Sequence, residues 1–387
     1  MAELCLDAFT FSYLIDKVYP VLTIDLAAIQ SNWLKLQTIA AGANVAGVIK
    51  ANAYGLGADQ VGNALYAVGC REFFFASINE ALAARTFLPS DAIAYVLGGI
   101  AVGDERLLIE SNLTPVLCSL SAIKTWAKAN AVLGSNASSA IKINTGMTRF
   151  GLDAHEFESL CSDNNLLRAI APVLLMSHLA CADECDHPLN LHQQNLFSDC
   201  VQLMRSLLPN LRFSLANSSG IFLGDKWHFD LLRPGAALYG INPIPNTPNP
   251  MLPVVRLSLP IVQVRTLEAE AAIGYGSSVT LPEGARVAVV AGGYADGLHR
   301  TVGLQPEGYL NGQLVRAVGR MSMDSTMFDI SALGLSGDQL LGQQIEVINP
   351  ALSLEYLSKK NTSLGYEILT SLGTRYQREY LTGTYHV

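Results

Sequence analysis

The chain has 387 residues, of which half are hydrophobic and 15% are charged, and this predicts a sizeable core in one large and one medium domain. The net charge of -8 argues against nucleic acid or an anionic membrane as a partner. No apolar run reaches the roughly 18 residues that a membrane-spanning helix needs, so none is expected.

Residues 1–20 are interpreted as an N-terminal extension that packs with the C-terminal domain. They contain Glu3, Asp7, Asp16 and Lys17 and do not begin with a positively charged region, so they do not resemble a signal peptide. The whole chain has seven cysteines, an odd number that is thinly spread. Reduced thiols in a cytoplasmic protein therefore fit better than a disulfide framework.

Short apolar runs alternate with stretches of helical spacing through the first two thirds of the chain. The runs are Val45–Ile49, Phe73–Ile78, Ile93–Leu97, Thr114–Cys118, Ala140–Ile143, Val173–His178, Arg212–Ala216 and Gly235–Gly240. Eight strands alternating with helices predict an α/β fold, a (β/α)8 barrel of the TIM type, over residues 21–245. A doubly wound sheet is disfavoured because no GxGxxG turn follows an early strand.

A proline-rich linker follows the predicted barrel, with five prolines between residues 243 and 253. Behind it, residues alternate between apolar and polar in several segments, and helical spacing is scarce before Tyr356. These segments are 254–264, 286–291, 314–318, 325–330 and 344–348. They predict a β-rich second domain, which we assign to residues 246–387.

Lys50 ends the first apolar run and is followed by the segment ANAYGLG. This pattern indicates a buried strand that delivers one amine, then a turn in which glycines let the backbone approach a ligand. A lysine there is costly unless its charge is paired or given up. A Schiff base with a carbonyl cofactor, above all pyridoxal phosphate (PLP), would remove the charge. A lysine that merely snorkels from the strand end is the alternative.

Polar residues also follow other predicted strands, and barrel enzymes build their sites at these carboxyl ends. They are Tyr54, Asn144, Thr145, Arg149, His178, Asn217, Ser218, Ser219 and, just before the last run, Arg233. Such a set could hold a phosphate and a carboxylate. Taken singly, each has a simpler interpretation: a helix N-cap for 217–219, a surface salt bridge for Arg233 and a core histidine for His178.

The segment 178–187, HLACADECDH, contains candidate metal ligands. However, Cys181 and Cys185 lack the spacing of a CxxC knuckle, and no second ligand pair stands at a fitting distance along the chain. No metal site is therefore predicted.

The segment around Lys50 resembles the cofactor-lysine signature of the PLP-dependent alanine racemases, VxKANAYGHG. The resemblance continues in order over nearly the whole chain after residue 20. The matching segments are 24–29, 144–151, 177–178, 182–184, 217–219, 233–240, 274–276, 292–297, 319–324 and 365–369. It implies interconversion of L-alanine and D-alanine in a homodimer with shared active sites, for peptidoglycan synthesis or for D-alanine breakdown.

The resemblance also implies the roles of individual residues. Lys50 would bind PLP and act as the base on one face of the substrate, and Tyr275 of the partner subunit would act on the other. Arg233 would bond the pyridine nitrogen, and His178 would link Arg233 with Tyr275. Arg149 would contact the phenolic oxygen of the cofactor and the substrate carboxylate.

The remaining implied contacts hold the two ends of the bound molecules. The phosphate would be held by Tyr54, Ser218, Gly235, Ala236 and Tyr366. Met323 of the partner subunit would offer its backbone N–H to the substrate carboxylate.

Some positions depart from the family pattern. Leu56, Asn144 and Thr148 stand where histidine, aspartate and glycine are common, and the last two could change the setting of Arg149. Lys142 matches a lysine that is carbamylated in some members.

Other functions remain open alongside alanine racemisation. A racemase with a wider range, acting on serine or lysine, is one. A fold-related decarboxylase of basic amino acids is another, although its Cys-Asp-rich signature is missing. A PLP-carrying barrel without activity is disfavoured because the chain continues well past the linker.

Overall fold

The computed structural model describes residues 19–299, 306–334 and 337–383. The chain divides into two compact units. Leu26–Leu252 form the barrel unit, and Pro253–Thr382 form the β unit together with the strand β1 (Val21–Asp25). No helix of the described residues is long and apolar enough to cross a membrane.

Parallel strands build the barrel unit. They are β2 (Asn44–Val45), β3 (Gly47–Val48), β4 (Glu72–Phe75), β5 (Ile93–Val96), β6 (Leu113–Leu117), β7 (Ser139–Lys142), β8 (Pro172–Met176), β9 (Arg212–Ser214) and β10 (Leu231–Leu232). The strands β3 to β9 pair in chain order, and β10 pairs with β2. Backbone bonds from Asp230 to Phe213 and from Arg233 to Ala216 join β10 to the β9 side. Only Ala46 separates β2 from β3, so these two short strands occupy one position of the ring. The nine labelled strands therefore fill eight positions, as predicted.

Helices cover the outside of this ring. They are α1 (Leu26–Ile39), α3 (Ala58–Ala67), α4 (Ile78–Ala84), α5 (Glu105–Glu110), α6 (Leu120–Leu133), α7 (Ala154–Ser162), α8 (Asn164–Ala169) and α9 (Pro188–Leu207). The short segment α2 (Lys50–Tyr54) follows β3 and differs from them, because its residues 51–54 are left-handed. In α1, Ile29, Trp33 and Leu36 are buried, as their helical spacing predicts. Short 3₁₀ turns at Gly220–Leu223, Asp225–Trp227 and Ala236–Tyr239 follow the last two strands.

Side chains fill the ring interior, so function must be sought at its ends. Buried residues from every part of the ring pack together; among them are Val48, Phe74, Val116 and Leu174. The barrel is therefore a packed core and not a pore.

A buried polar network occupies the amino ends of the strands. The Arg212 guanidinium donates two hydrogen bonds of 2.7 Å to the Glu72 carboxylate, and Tyr95 Oη donates to the same carboxylate at 2.9 Å. These bonds pair the buried charge at this end, whereas the predicted site residues lie at the opposite end.

The β unit is built around an eight-stranded sheet. Its strands are β11 (Val255–Thr266), β12 (Ala271–Ile273), β13 (Val279–Leu281), β14 (Arg286–Ala291), β15 (Glu307–Leu310), β16 (Gln313–Ala317), β17 (Ser325–Asp329), β18 (Gln344–Ile348) and β19 (Gln377–Leu381). The order is β14-β17-β16-β15-β18-β11-β1-β19, while β12 and β13 form a separate hairpin. Because β14 also pairs with β11, six of the strands close into a small barrel. The helices are α10 (Gly337–Leu340), α11 (Leu354–Asn361) and α12 (Gly365–Ser371). The prediction of a β-rich second domain is confirmed.

The compact units divide the chain a few residues away from the predicted bounds of the barrel, 21 and 245. Residues 21–25 fall in the β unit, where β1 pairs with β11 and β19 and buries Leu22 and Ile24. Residues 246–252 fall in the barrel unit, where the linker packs on α1: Asn32 Oδ1 accepts from Leu252 N–H at 2.8 Å and Lys35 Nζ donates to Pro250 O at 2.7 Å. The predicted extension 1–20 lies almost wholly outside the described residues.

The predicted eighth strand, Gly235–Gly240, is also corrected. The strand is Leu231–Leu232, and Ala236–Tyr239 form a 3₁₀ turn. Ala237, Leu238 and Tyr239 are buried, so the run is as apolar as a strand although it is a turn.

Candidate active site

Five of the predicted site residues follow neighbouring strands of the barrel at one end. Lys50 follows β3, Arg149 follows β7, and His178 follows β8. Ser218 and Arg233 follow β9 and β10 in the same way. Because the carboxyl ends of parallel strands meet at one mouth of the ring, the structure brings these side chains into one region.

The amines of this region lie in an electropositive, poorly hydrated setting. Burial lowers the pKa of Lys50, the nearby Arg149 charge lowers it further, and the Glu80 carboxylate raises it. Burial lowers the pKa of Lys142, at the end of β7, to about 8. Both amines therefore lose their protons more readily than an exposed lysine.

His178 experiences the same surroundings. Burial lowers its pKa well below the usual range, and the charges of Arg233, Lys142, Arg149 and Lys50 add to this effect. The imidazole is therefore neutral at pH 7, with one nitrogen that donates and one that accepts.

The cations of this region have no ion-pair partner among the described residues. In the described ranges, no carboxylate lies within ion-pair distance of Lys50, Lys142, Arg149 or Arg233. Lys142 and Arg233 are buried, and buried charges normally require partners. The region is therefore suited to an anionic ligand.

Arg233 is almost completely buried and firmly held. Its Nη1 donates to Ser214 Oγ at 2.6 Å and to Ser214 O at 3.2 Å, and its Nη2 donates to Leu215 O at 3.3 Å and to Ser177 O. Burial lowers its pKa to about 9. These bonds use the two terminal nitrogens, so the Nε–H remains available to another acceptor.

The loops after β9 and β10 form a cradle of small residues. Ser218 Oγ accepts hydrogen bonds from Gly235 N–H at 3.0 Å and Ala237 N–H at 3.1 Å, so its own proton remains available to a ligand. A Cβ on Gly235 would lie 2.4 Å from Tyr54 Oη, so any larger residue would displace the Tyr54 side chain. Tyr54 also packs against Tyr239, with ring centroids 4.6 Å apart. The cradle thus places the hydroxyls of Ser218 and Tyr54 beside the backbone of Gly235, and hydroxyl donors of this kind suit an anion.

The turn between Lys50 and this cradle is left-handed. The residues Ala51 to Tyr54 all have φ between 53° and 55°. Such a conformation costs non-glycine residues roughly 1–2 kcal/mol each. Strain of this kind persists only where surrounding contacts fix it, and it is concentrated at functional sites.

The loop that carries Arg149 is closed by Asn144. Its Oδ1 accepts from Gly146 N–H at 3.1 Å and from Thr148 N–H at 2.9 Å. Thr148 has φ of 54°, where glycine would be less strained. The two departures from the family pattern thus leave a bonded turn, since an amide oxygen accepts these bonds as a carboxylate would.

Tyr275, Met323 and Tyr366 belong to the β unit, where their side chains are 68%, 52% and 42% exposed. Gly274 and Gly276 flank Tyr275, and both have positive φ. The fixed turn therefore presents an exposed phenol.

An ionic clamp braces the segment that carries Met323. Arg375 contacts Asp296 Oδ1 and Asp324 Oδ1, both at 2.6 Å. Asp296 also accepts from Gly293 N–H at 2.9 Å, and Ala295 N–H donates to Met323 O at 3.0 Å. The backbone of Met323 is therefore held firmly although its side chain is exposed.

Sequence reasoning missed three residues that shape the region. Ser214, which accepts from Arg233, lies within the predicted strand 212–216, and only residues after the strands were considered as site residues. Gln193 of α9 donates to His178 O at 2.9 Å, and no pattern in the sequence indicated this contact. Glu80 stands three residues after Ser77, a spacing that predicts an ordinary helix cap.

The chain matches two family models in succession. Residues 24–243 match the alanine racemase N-terminal domain, and residues 254–380 match the alanine racemase C-terminal domain. It is 47% identical over 366 residues to an alanine racemase of Rhodospirillum rubrum, covering 94% of this chain and 96% of that protein. It is 43% identical over 360 residues to a catabolic alanine racemase of Agrobacterium fabrum, covering 93% and 92%.

Solved structures agree with these sequence matches. Alanine racemase from Bartonella henselae, with covalently bound pyridoxal phosphate, superposes with a TM-score of 0.88 at 35% identity, covering 94% of this chain and all of that one. The enzyme from Streptomyces coelicolor gives 0.86 at 29% identity, covering 95% and 100%. The chain therefore belongs to the alanine racemase family.

Proposed function

We propose that this chain is a PLP-dependent racemase that interconverts L-alanine and D-alanine. The observation that carries the proposal is Lys50, an amine of lowered pKa among unpaired cations, beside the cradle of Ser218 and Gly235. Membership of the alanine racemase family, and the bound PLP of the Bartonella henselae enzyme, support it.

The residues present fit PLP by their chemistry. The phosphate suits the hydroxyls of Tyr54 and Ser218 and the backbone N–H of Ala236 next to Gly235, with Tyr366 as a further donor. The phenolic oxygen suits a cation, for which we propose Arg149. When bound, PLP supplies a carbonyl that links to an amine and an electron-poor ring that makes the Cα proton of an amino acid removable.

Two bases on opposite faces are the simplest way to racemise. We assign the proton at Cα on one face to Lys50 Nζ, whose burial favours the neutral amine that a base requires. We assign the other face to Tyr275 Oη of the partner subunit. His178 would link Tyr275 to Arg233, and its neutral imidazole can donate at one nitrogen while accepting at the other.

Arg233 and Arg149 would orient the bound molecules. A guanidinium only donates hydrogen bonds, so the Arg233 Nε–H would keep the pyridine nitrogen unprotonated and temper the electron demand of the ring. Arg149 and the backbone N–H of Met323 of the partner subunit would hold the substrate carboxylate, which fixes which face each base meets.

The proposal includes a homodimer and a cytoplasmic location. Exposed Tyr275 and Met323 are available to a second copy, and the cysteines of the described residues are free thiols. The product would serve peptidoglycan synthesis, or the reaction would serve D-alanine breakdown, as the name of the Agrobacterium fabrum relative suggests.

Chiral analysis of products tests the function. Purified protein with PLP is incubated with L-alanine, D-alanine, serine, lysine and arginine separately, and the enantiomers are separated. Either enantiomer of alanine should approach an equal mixture, and Lys50→Ala should abolish this. Faster racemisation of serine or lysine would favour the broad-range alternative, and release of carbon dioxide from a basic amino acid would favour the decarboxylase.

A further inference from the structure

The left-handed turn determines how the amine of Lys50 is placed relative to the phenol of Tyr54. Lys50 immediately precedes the turn, and Tyr54 is its last left-handed residue other than glycine, since Gly55 follows with φ of 86°. Alanine and tyrosine rarely adopt this conformation, so it needs support. A backbone bond within the segment, from Gly55 N–H to Ala51 O at 2.8 Å, gives part of this support, and bonds from outside the turn give the rest.

Glu80 supplies such bonds at the start of the turn. Its Oε1 accepts from Ala51 N–H at 3.1 Å, and its Oε2 accepts from Ala76 N–H at 2.8 Å. Ala51 lies just after β3 and Ala76 directly after β4. One carboxylate therefore ties the carboxyl ends of two adjacent barrel strands together beside Lys50. At the far end of the turn, Asn52 Oδ1 accepts from Ala58 N–H at 2.8 Å.

The position of Glu80 in α4 makes this arrangement unusual. Ser77 is the N-cap, and its Oγ accepts from Glu80 N–H at 3.3 Å. In an ordinary capping box the glutamate would return to the backbone N–H of the cap residue. Here the carboxylate bonds Ala51 and Ala76 instead, so it acts on the site and not only on its own helix.

Glu156 provides a matched comparison within the barrel unit. It occupies the same position of α7, and its carboxylate also accepts from two backbone N–H groups: Leu120 at 2.9 Å and Asp153 at 3.4 Å. It lies at the starts of α6 and α7, away from the Lys50 turn.

We propose that Glu80 is a positioning residue for the cofactor lysine. Its carboxylate holds the left-handed turn so that Lys50 and Tyr54 face the cradle of Ser218 and Gly235 together. The inference rests on the proposed function, because it assigns Glu80 a part in PLP binding that it exerts through Lys50 and Tyr54.

PLP affinity of the full-length apo-protein tests this role. PLP is titrated into wild type, Glu80→Gln and Glu156→Gln, and bound cofactor is fixed with borohydride and located by peptide mass spectrometry. Glutamine keeps the size but offers one acceptor oxygen, so one backbone N–H loses its partner. Glu80→Gln should bind PLP about tenfold or more weakly, because a charge-assisted hydrogen bond is lost, and Glu156→Gln should stay within about twofold of wild type.

Equal losses in both variants, or no loss in Glu80→Gln, would overturn the inference. Attachment of PLP to a lysine other than Lys50 in wild type would instead refute the proposed function, so the two failures are distinguishable. Circular dichroism confirms in advance that each variant is folded at the titration temperature.

Amide hydrogen exchange in wild type examines the same bonds without a substitution, in case Glu80→Gln does not fold. Ala51 is exposed, so its amide would exchange quickly unless the Glu80 carboxylate accepts from it. Slow exchange at Ala51 and Ala76 supports the role, and fast exchange at Ala51 contradicts it.

Discussion

Lys142 shows how a single side chain reports on the electrostatics of the site. It follows the buried residue Ile141 on β7 and is itself only 6% exposed. Its pKa is lowered to about 8, mainly by desolvation; Cys118 opposes this lowering, and the charges of Arg233, Arg149 and Lys50 add to it. Its charged form is therefore disfavoured by folding.

The stability of the apo-protein should depend on pH through Lys142. Its pKa in the folded state, about 8, lies below the ordinary value of 10.5. Between these values the unfolded chain binds a proton that the folded chain does not, so the free energy of unfolding rises with pH in that window. From pH 8 upwards, urea unfolding should show the free energy of unfolding of wild type rising relative to that of Lys142→Met.

The control for this measurement is Lys128→Met, which changes an exposed lysine of α6. It should follow the wild-type pH dependence. A constant difference between wild type and Lys142→Met from pH 7 to pH 10 would show that Lys142 titrates as an exposed lysine does.

Residues of the site could be predicted where chemistry and position coincide. Lys50 and His178 stand at the ends of predicted strands, so the barrel prediction alone placed them at one mouth. Arg233 precedes the run that was predicted as the eighth strand, and only the strand at Leu231–Leu232 puts it at a carboxyl end. Glu80 could not be found, because its sequence spacing is that of a common cap and only the tertiary approach of Ala51 diverts its carboxylate. Tyr275 was found through the family resemblance, since nothing local distinguishes an exposed tyrosine between two glycines.

At the scale of elements, the network of Glu72, Tyr95 and Arg212 joins β4, β5 and β9 at the end of the barrel opposite the site. Glu72 is 5% exposed, and Arg212 holds it by two bonds. Removing one partner of a buried ion pair leaves an uncompensated charge.

Arg212→Met should therefore destabilise the protein by about 3–5 kcal/mol, because it leaves the Glu72 carboxylate buried without its cation. Urea unfolding measures this. Arg106→Met, which breaks an exposed pair with Glu110 on α5, should cost about 0.5 kcal/mol or less. Similar values for both substitutions would mean that Glu72 is hydrated in solution.

The elements themselves were predictable to the extent that local periodicity defines them. Seven of the eight apolar runs in the barrel overlap a strand, since a buried run of four to eight residues between two helices is too short to be a helix of its own. The run 235–240 failed because burial of a 3₁₀ turn produces the same apolar pattern as a strand.

At the scale of the whole molecule, long-range pairing sets the division into units. Val21 pairs with Ser258, more than 200 positions away, so no local pattern could assign β1 to the β unit. The two proposed bases also fall in different units, with Lys50 in the barrel unit and Tyr275 in the β unit. The family resemblance implies, and we propose, that each site takes Tyr275 from the partner subunit.

Mixed dimers should reveal such sharing. Lys50→Ala and Tyr275→Phe are each expected to be inactive, but one site of a mixed dimer would contain both intact residues. Refolding or exchanging the two variants together should restore up to about a quarter of wild-type activity, since half of the dimers are mixed and each has one intact site of two. Proven mixed dimers without any recovery would count against shared sites.

The account as a whole depends on Lys50 and Tyr275 serving opposite faces of the substrate. The most direct measurement is deuterium incorporation at Cα of each alanine enantiomer by Tyr275→Phe in D₂O, read by mass spectrometry after chiral separation. Lys50 remains able to remove the proton that faces it, which by the family resemblance belongs to D-alanine. D-alanine should therefore keep part of its exchange, while L-alanine loses most of it and racemisation falls by roughly 10²–10⁴. Equal residual exchange from both enantiomers would contradict the two-base assignment.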